Sequence, residues 1–434
     1  MKINWRKPII YLLLYLSGSK IPKILREIEA INKLPPSKKK KYQQKKLEKI
    51  LLHAHNNVPY YHKILKKSGV ISKGKINLKN FQKIPPLTKE IIRKEGKNLY
   101  SKDYQQRKPY ENSSGGSTGE PVKFIQDKEY DDWNIATKIF YKKLGGQDIG
   151  EKELRLWGSE RDILEGGEKL SIRIRNWLYN RKELNAFRMS VKKMEEFVEI
   201  WNKFKPQWVE GYVQSIYEFS KFIEEKKLNI YSPRGILVSA GTLYESMRKK
   251  IEKIFKCPVF NRYGSREVGA IACSFPPSKK LEISFWHNYV EIIKEKNNKM
   301  GKILITTLNN YSMPLIRYDI GDLGILSQKW GVLEKIVGRE VNIFKTKRGE
   351  LIDGEFFTHL FYFRNWVKKF QIIQKDYNFI LIKIVGNKNK KEMLKIEENI
   401  KKVMGKNCQI KWQFLKQIKP LKSGKFLYTI SEVK

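Results

Sequence analysis

Residues 113–121 read SSGGSTGEP. Gly115, Gly116 and Gly119 let the backbone fold back on itself, and Ser113, Ser114, Ser117 and Thr118 add hydroxyl donors to the free N–H groups. Such a loop can wrap an anion, and it can equally be a flexible polar linker, because composition does not separate the two. It is not a Walker loop. That motif ends in Gly-Lys-Ser/Thr to bring an ammonium and a metal ligand to the phosphates, whereas here Gly119 is followed by Glu120 and Pro121.

Three stretches further along bear on the choice: YGSREVG from Tyr263, PLIRYDIGD from Pro314 and SGK from Ser423. Together with the loop, their order and approximate spacing resemble those of the adenylate-forming enzymes, in particular the phenylacetate–CoA ligase-like branch that includes relatives found with capsular polysaccharide genes. The resemblance runs from about Asn57 to the C-terminus. One such motif is weak, whereas four in register are specific. The fold this implies is α/β. A large N-terminal domain over 1–338, with mixed, largely parallel sheets and a β-rich subdomain, follows a helical extension over 1–56, and a small mobile α+β lid covers 339–434.

The same resemblance implies ATP-dependent activation of a carboxylic acid to an acyl-adenylate, with loss of pyrophosphate. Acyl transfer to coenzyme A or an amine would follow, a surface-polysaccharide sugar being one candidate acceptor. Negative charge gathers on phosphoryl oxygens in such a transition state, so catalysis is mostly positioning and electrostatics. The loop from Ser113 to Gly119 would hold the β- and γ-phosphates. Ala240, Gly241, Tyr263 and Gly264 match the adenine site, and Asp322 matches the aspartate that accepts from the ribose hydroxyls, as an ionised carboxylate suits. Glu267 matches the magnesium-binding glutamate, since Mg2+ needs a carboxylate beside phosphates and water. Arg339 would contact ribose or phosphate at the domain junction, and Lys425 would reach the α-phosphate and carboxylate oxygens. The acyl pocket would draw on Trp133, Trp157 and Tyr212.

The chain also departs from the family pattern. Arg266 stands where many members carry threonine and could neutralise the α-phosphate instead. Gly241 stands where relatives often have glutamate. Val122 and then Lys123 follow the loop proline, where a lysine often comes directly, and residues 340–347 match the usual acidic hinge poorly.

Bulk composition narrows the class. With 434 residues, 41% hydrophobic and 12% aromatic, the chain can bury a large core in two or three domains. Lys+Arg of 88 against Asp+Glu of 45 gives a net charge of +43, which raises nucleic acid, anionic lipid or an acidic polymer as partner. The lysines are spread through every segment, and no aromatic interleaving or zinc-ligand spacing marks a nucleic-acid module. Cys257, Cys273 and Cys408, odd in number and far apart, fit a reducing cytoplasm rather than a disulfide framework.

Lys2, Arg6 and Lys7 precede an apolar run over 9–16, followed by Ser17-Gly18-Ser19, much as in an export signal. Tyr11 and Tyr15 within the run, and the need for ATP, argue against export. The run is also too short to span a bilayer, which takes about 20 residues. The reading is a first helix packed on the domain, with peripheral contact to the inner face of the membrane as the alternative. Residues 37–46 carry six lysines ahead of Leu47, Ile50, Leu51 and Ala54, a helix with a solvated face. His53, His55 and His62 are not aligned for a metal, because NVPYY at 57–61 breaks the helix.

Periodicity sketches the rest. Residues 130–144 read as a helix with Trp133, Ala136, Ile139, Phe140 and Leu144 on one side. GILVS at 235–239, a helix through Met247, Ile251 and Phe255, and a strand from Pro258 to Tyr263 form a strand–helix–strand unit, which implies a parallel sheet with ligands at its strand ends. Residues 290–293 and 303–308 alternate as antiparallel hairpins do, and a strand at 379–385 and a helix near 392–404 follow. Two other classes stay open: a non-catalytic basic protein bound to anionic membrane or polymer, and phosphoryl transfer to a hydroxyl.

Overall fold

The computed structural model describes residues 4–72, 74–114, 122–158, 170–186, 188–294, 301–337, 343–361, 364–418 and 427–433. Four helices open the chain: α1 (Arg6–Leu16), α2 (Ile21–Asn32), α3 (Pro36–Asn57) and α4 (Pro59–Lys67). The lysine-rich start of α3 stays solvated while Leu47, Ile50, Leu51 and Ala54 are buried, as the spacing predicts. The break at Val58 follows from Pro59, which disfavours helical backbone in the residue before it and opens α4 instead. A short α5 (Lys89–Glu95) comes next, capped by the Thr88 side chain, which accepts from the Ile91 N–H.

A hairpin of β1 (Tyr110–Ser113) and β2 (Lys123–Gln126) leads into α6 (Lys128–Leu144), whose N-terminus is capped by Asp127. Trp133, Ala136 and Phe140 are buried as expected, but Leu144 is 47% exposed, because the last residue of the helix projects past the core. The strands β3 (Glu153–Trp157), β4 (Arg181–Asn185), β5 (Trp208–Tyr212), β6 (Gly235–Ser239) and β7 (Val259–Ser265) then alternate with α7 (Leu170–Leu178), α8 (Val191–Phe204), α9 (Val213–Glu225) and α10 (Glu245–Phe255).

These five strands form one parallel half of an eleven-stranded sheet, with pairing such as Asn261 to Val238. The expected parallel unit is present. Every residue of β5 and β6 is buried, as in a sheet covered on both faces. Val209, Ile236, Val238 and Val259 pack on the side of α8 to α10, and Trp208, Leu237 and Phe260 pack against α6.

The sheet continues through β8 (Gly269–Ser274), β9 (Leu281–Ile283), β10 (Asn288–Lys294), β11 (Gly301–Thr307), β12 (Tyr318–Leu326) and β13 (Val332–Val337), all antiparallel, in the order β10-β11-β12-β13-β9-β8-β7. The two alternating runs pair as a hairpin, Val290 opposite Ile305.

Beyond it, residues 343–345 and 351–353 pair with each other, and Leu351 pairs with Met189 of the main body. A four-stranded sheet of β14 (Val367–Asp376), β15 (Phe379–Gly386), β16 (Gln409–Phe414) and β17 (Thr429–Ser431), with α11 (Lys390–Met404), completes the chain. The anticipated junction at Gly338-Arg339 lies outside the described residues. The fold is the mixed α/β architecture expected, a large sheet body with a small α+β unit at the C-terminal end.

Candidate active site

Gly115, Gly116, Ser117, Thr118 and Gly119 lie outside the described residues, but both ends of their loop are described. The Ser114 N–H donates to the Val122 carbonyl at 2.9 Å, and the Val122 N–H donates to Ser114 Oγ at 2.8 Å. Together with the pairing of Ser113 and Lys123, these bonds bring the two ends of the loop side by side.

The hairpin is joined to the YGSREVG turn. The Gln126 amide donates to the carbonyls of Arg266, at 2.9 Å, and Glu267, at 3.1 Å. Within the turn, a β-carbon on Gly264 would lie 2.4 Å from the Gly269 carbonyl oxygen, so only glycine fits the bulge between β7 and β8. The Arg266 side chain is exposed.

Two phenols converge on two carboxylates. Tyr263, at the end of β7, donates its hydroxyl to Asp322 Oδ2 on β12 at 2.8 Å. Tyr318, at the start of β12, donates to Glu267 Oε1 at 3.2 Å, and the buried Lys89 ammonium stands 4.0 Å from the same oxygen.

Lys89 was not singled out from the sequence. It is delivered by residue 87, which pairs along β12: the Leu87 N–H donates to the Arg317 carbonyl and the Asp319 N–H to the Leu87 carbonyl, both at 2.9 Å. A Pro-Leu-Thr-Lys run ahead of a Thr-capped helix was the available signal. Arg317, inside the motif that most identifies the chain, turns inward. Its backbone is left-handed, at φ 53°, and its guanidinium donates to Glu291 at 3.1 Å and to the carbonyls of Gln82 and Ile84. It clamps the strand that carries Tyr318 and Asp322.

On the other side of Tyr263, Ser239 Oγ donates to the Arg262 carbonyl at 3.1 Å, joining the ends of β6 and β7. Ala240 takes a left-handed backbone at φ 59°, and a β-carbon on Gly241 would come 3.2 Å from Val213, so glycine brings this turn close to α9. The Trp157 and Tyr212 rings stand 4.3 Å apart at the matching ends of β3 and β5. Trp133 is elsewhere, in the core beside Phe140, with the Lys46 ammonium 3.4 Å from its ring centroid.

The strand residues that precede Trp157 and Tyr212 carry charge. Glu210 is bound by Arg262 at 2.6 Å, Lys142 at 3.0 Å and Arg155 at 3.1 Å, and Glu153 by Arg181 at 3.0 Å, Arg155 at 3.1 Å and Lys142. Burial pushes both carboxyls up, but the surrounding cations overcome it and hold them below the usual range. Lys138, one turn before Lys142, is driven down to about 8 by burial and then by Arg262.

Among the described residues no group of three His, Cys, Asp or Glu side chains could hold a metal. Glu267 is a single carboxylate with a phenol and an ammonium beside it. It suits a hard cation that takes its remaining ligands from water and phosphate. His53 contacts the Tyr311 carbonyl and Ser101, while His55 and His62 stack on each other.

A family profile described as the CapK C-terminal domain matches residues 344–432. The chain is 26% identical to Protein CapK of Staphylococcus aureus over 409 residues, covering 90% of this chain and 89% of that one. It is 24% identical to the phenylacetate-coenzyme A ligase of Aromatoleum evansii over 356 residues, covering 75% and 78%. These relatives bear out the resemblance to the adenylate-forming superfamily, in its CapK-like and phenylacetate–CoA ligase-like branch. The fold agrees: 2-hydroxyisobutyryl-CoA ligase, solved with 2-HIB-AMP and CoA, superposes with a TM-score of 0.61 at 14% identity, covering 92% of this chain and 91% of that one.

Measured against the superfamily's motifs, Tyr263, Glu267 and Asp322 come together, and the ends of the loop are tied to the turn that carries Glu267. Arg339 and Lys425 lie outside the described residues.

Proposed function

We propose that this adenylate-forming protein activates a carboxylic acid with ATP, releasing pyrophosphate, and passes the acyl group to coenzyme A or to an amine. The observation that carries the reading is the link between Tyr263 and Asp322, which joins the last of the parallel strands to the antiparallel half across motifs about sixty residues apart, with Glu267 and the joined ends of the loop nearby.

In this reading Tyr263 offers a ring face to adenine, flanked by the backbone of Ala240, Gly241 and Gly264. Asp322 exchanges the Tyr263 hydroxyl for ribose hydroxyls. The N–H groups and hydroxyls of residues 115–119 hold the β- and γ-phosphates, while Ser113 and Ser114, whose N–H groups are spent on Asn112 and Val122, close the base of the loop. Lys89 and Arg266 add positive charge, Lys89 from the interior and Arg266 from the surface, where the α-phosphate gathers charge. Glu267 would hold Mg2+, which when bound screens the phosphate oxygens. Arg339 is assigned to the ribose or phosphate, and Lys425 to orienting the attacking carboxylate on the α-phosphorus. Trp157 and Tyr212 wall the acid.

A boundary near residue 338 would let the C-terminal unit swing Lys425 in and later expose a face to the acceptor. Because ATP is the co-substrate, we place the reaction in the cytoplasm. A surface-polysaccharide sugar amine as acceptor rests on the family resemblance and on the relative named CapK.

One chromatogram tests the reading. With ATP, Mg2+ and a panel of acids, hydroxylamine should trap hydroxamate while AMP and pyrophosphate accumulate, and Asp322→Ala and Lys425→Ala should each lower the rate by roughly a hundredfold or more. ADP as the product, or full activity in both variants, would refute it.

A further inference from the structure

We infer that α1 and α7 form one platform that docks the protein on an anionic phospholipid membrane. This goes beyond the proposed reaction and does not depend on it.

The two helices are more than 150 residues apart in sequence, and both leave apolar side chains in solvent. On α1 only Ile10 is buried, while Ile9, Leu12, Leu13 and Leu16 are exposed along one side and Tyr15 is 77% exposed. On α7, Leu170, Ile174 and Trp177 repeat at helical spacing and are each more than half exposed. The fold joins them: Trp5, just before α1, meets Trp177 at 6.2 Å between ring centroids. Of the twenty large exposed apolar residues among those described, nine belong to this one surface, which is more than scattered surface residues account for.

The platform is fixed to the body. Asn4 donates to the Ile149 carbonyl at 2.8 Å, and Lys7 pairs with Asp148. Gly150 lets α1 come close, since a β-carbon there would lie 2.9 Å from Arg6 Cβ. The start of α1 is therefore held against the body.

Cations identify the occupant. Arg6 lies 4.4 Å from the Trp5 ring and 5.8 Å from the Trp177 ring, and its Nε is buried without a hydrogen-bond partner among the described residues. It opens on a groove of about 450 Å³ beside Trp177, lined also by Arg173, Arg181 and Lys182, with Glu183 the one acid in the wall among the described residues. Arg181 is committed to Glu153, and Arg6, Arg173 and Lys182 also face the groove, where they would meet an anion. Indole rings at the edge of an apolar face, with guanidinium groups beside them, match the boundary between acyl chains and phosphate headgroups.

A second copy of the chain would bring the same cations together on two bodies of +43 net charge, so self-association is disfavoured. The eleven residues of α1 span about 16 Å, half the hydrocarbon thickness, and no helix among the described residues is long and apolar enough to cross a membrane. The platform lies on the surface.

Vesicle flotation of the full chain, without nucleotide, tests this. The wild type should float with phosphatidylglycerol-containing vesicles and much less with pure phosphatidylcholine, and raised salt should weaken it. Leu12→Glu with Trp177→Glu should cut binding at least roughly tenfold with an unchanged thermal midpoint, since both positions are exposed. Arg173→Gln with Lys182→Gln should remove roughly tenfold of the preference for the anionic lipid while the weak binding to neutral vesicles stays the same. A wild type that stays in the unbound fraction, or a Glu pair that floats as well as wild type, would overturn the inference. So would light scattering that shows a dimer which the Glu pair dissociates, because the occupant would then be a second copy.

Discussion

The two halves of the central sheet each bury glutamate against arginine, and they do so with opposite electrostatic results. In the antiparallel half Glu291 has Arg317 as its one ion-pair partner among the described residues, and burial outweighs it, so the carboxyl titrates above its ordinary range. In the parallel half Glu153 and Glu210 are buried at least as deeply, yet they titrate low because Lys142 and Arg155 face both while Arg181 faces Glu153 and Arg262 faces Glu210. The number of cations facing a buried carboxylate decides the direction of its shift. Depth alone does not.

The largest test removes one acid from each half. Glu210→Gln leaves Lys142, Arg155 and Arg262 facing one another and should cost about 3–5 kcal/mol in urea unfolding. Glu291→Gln keeps the two carbonyls that also bind Arg317 and should cost less, roughly 1–3 kcal/mol. Equal losses would break the contrast.

A pH series sharpens it. Glu153 and Glu210 are depressed when folded, so the stability they confer is complete above the unfolded range, near pH 4.5, and is lost as pH falls below it. Glu291 acts in reverse, because its burial penalty is relieved on protonation. Urea midpoints of Glu153→Gln should therefore fall less steeply below pH 4.5 than those of wild type.

At the alkaline end Lys138, lowered from 10.5 to about 8, costs stability while protonated, and that cost is relieved as pH rises from 8 towards 10.5. Lys138→Met should raise the melting temperature at neutral pH and abolish the alkaline gain. An unchanged melting temperature would mean that Lys138 keeps its hydration.

The smallest effect lies on the seam between the halves. Tyr263→Phe removes the hydroxyl that joins β7 to Asp322 on β12 and should cost about 1 kcal/mol in the absence of nucleotide. A loss several times larger in differential scanning calorimetry would mean that the seam, and not the two charge clusters, holds the halves in register.

Much of this was legible in the chain. Residues 235–239 and 258–263 form the parallel pair their apolar runs imply, and the kink at Val58 follows from Pro59. Tyr263, Glu267 and Asp322 were singled out by the family resemblance of their short motifs, and the fold brings those motifs together. Lys89 was hidden among 88 basic residues, since nothing in sequence marks which lysine is buried. Arg317 looked like part of a nucleotide motif, and its partners, Glu291 and the carbonyls of Gln82 and Ile84, lie on segments distant in sequence. The platform of α1 and α7 was only half visible. The first apolar run suggested either packing or a membrane, and α7 gave no sign of being its neighbour.

By itself the sequence determined the strand–helix–strand unit over 235–263, the hairpin of 290–293 with 303–308 and the break at Val58, because these depend on local periodicity and on proline geometry. Tertiary structure alone decided which of many similar cations are buried, which glutamate each one meets, and which apolar helix faces stay in water. Those are properties of pairs far apart in the chain, and a residue's ionisation and burial depend on neighbours that only folding supplies.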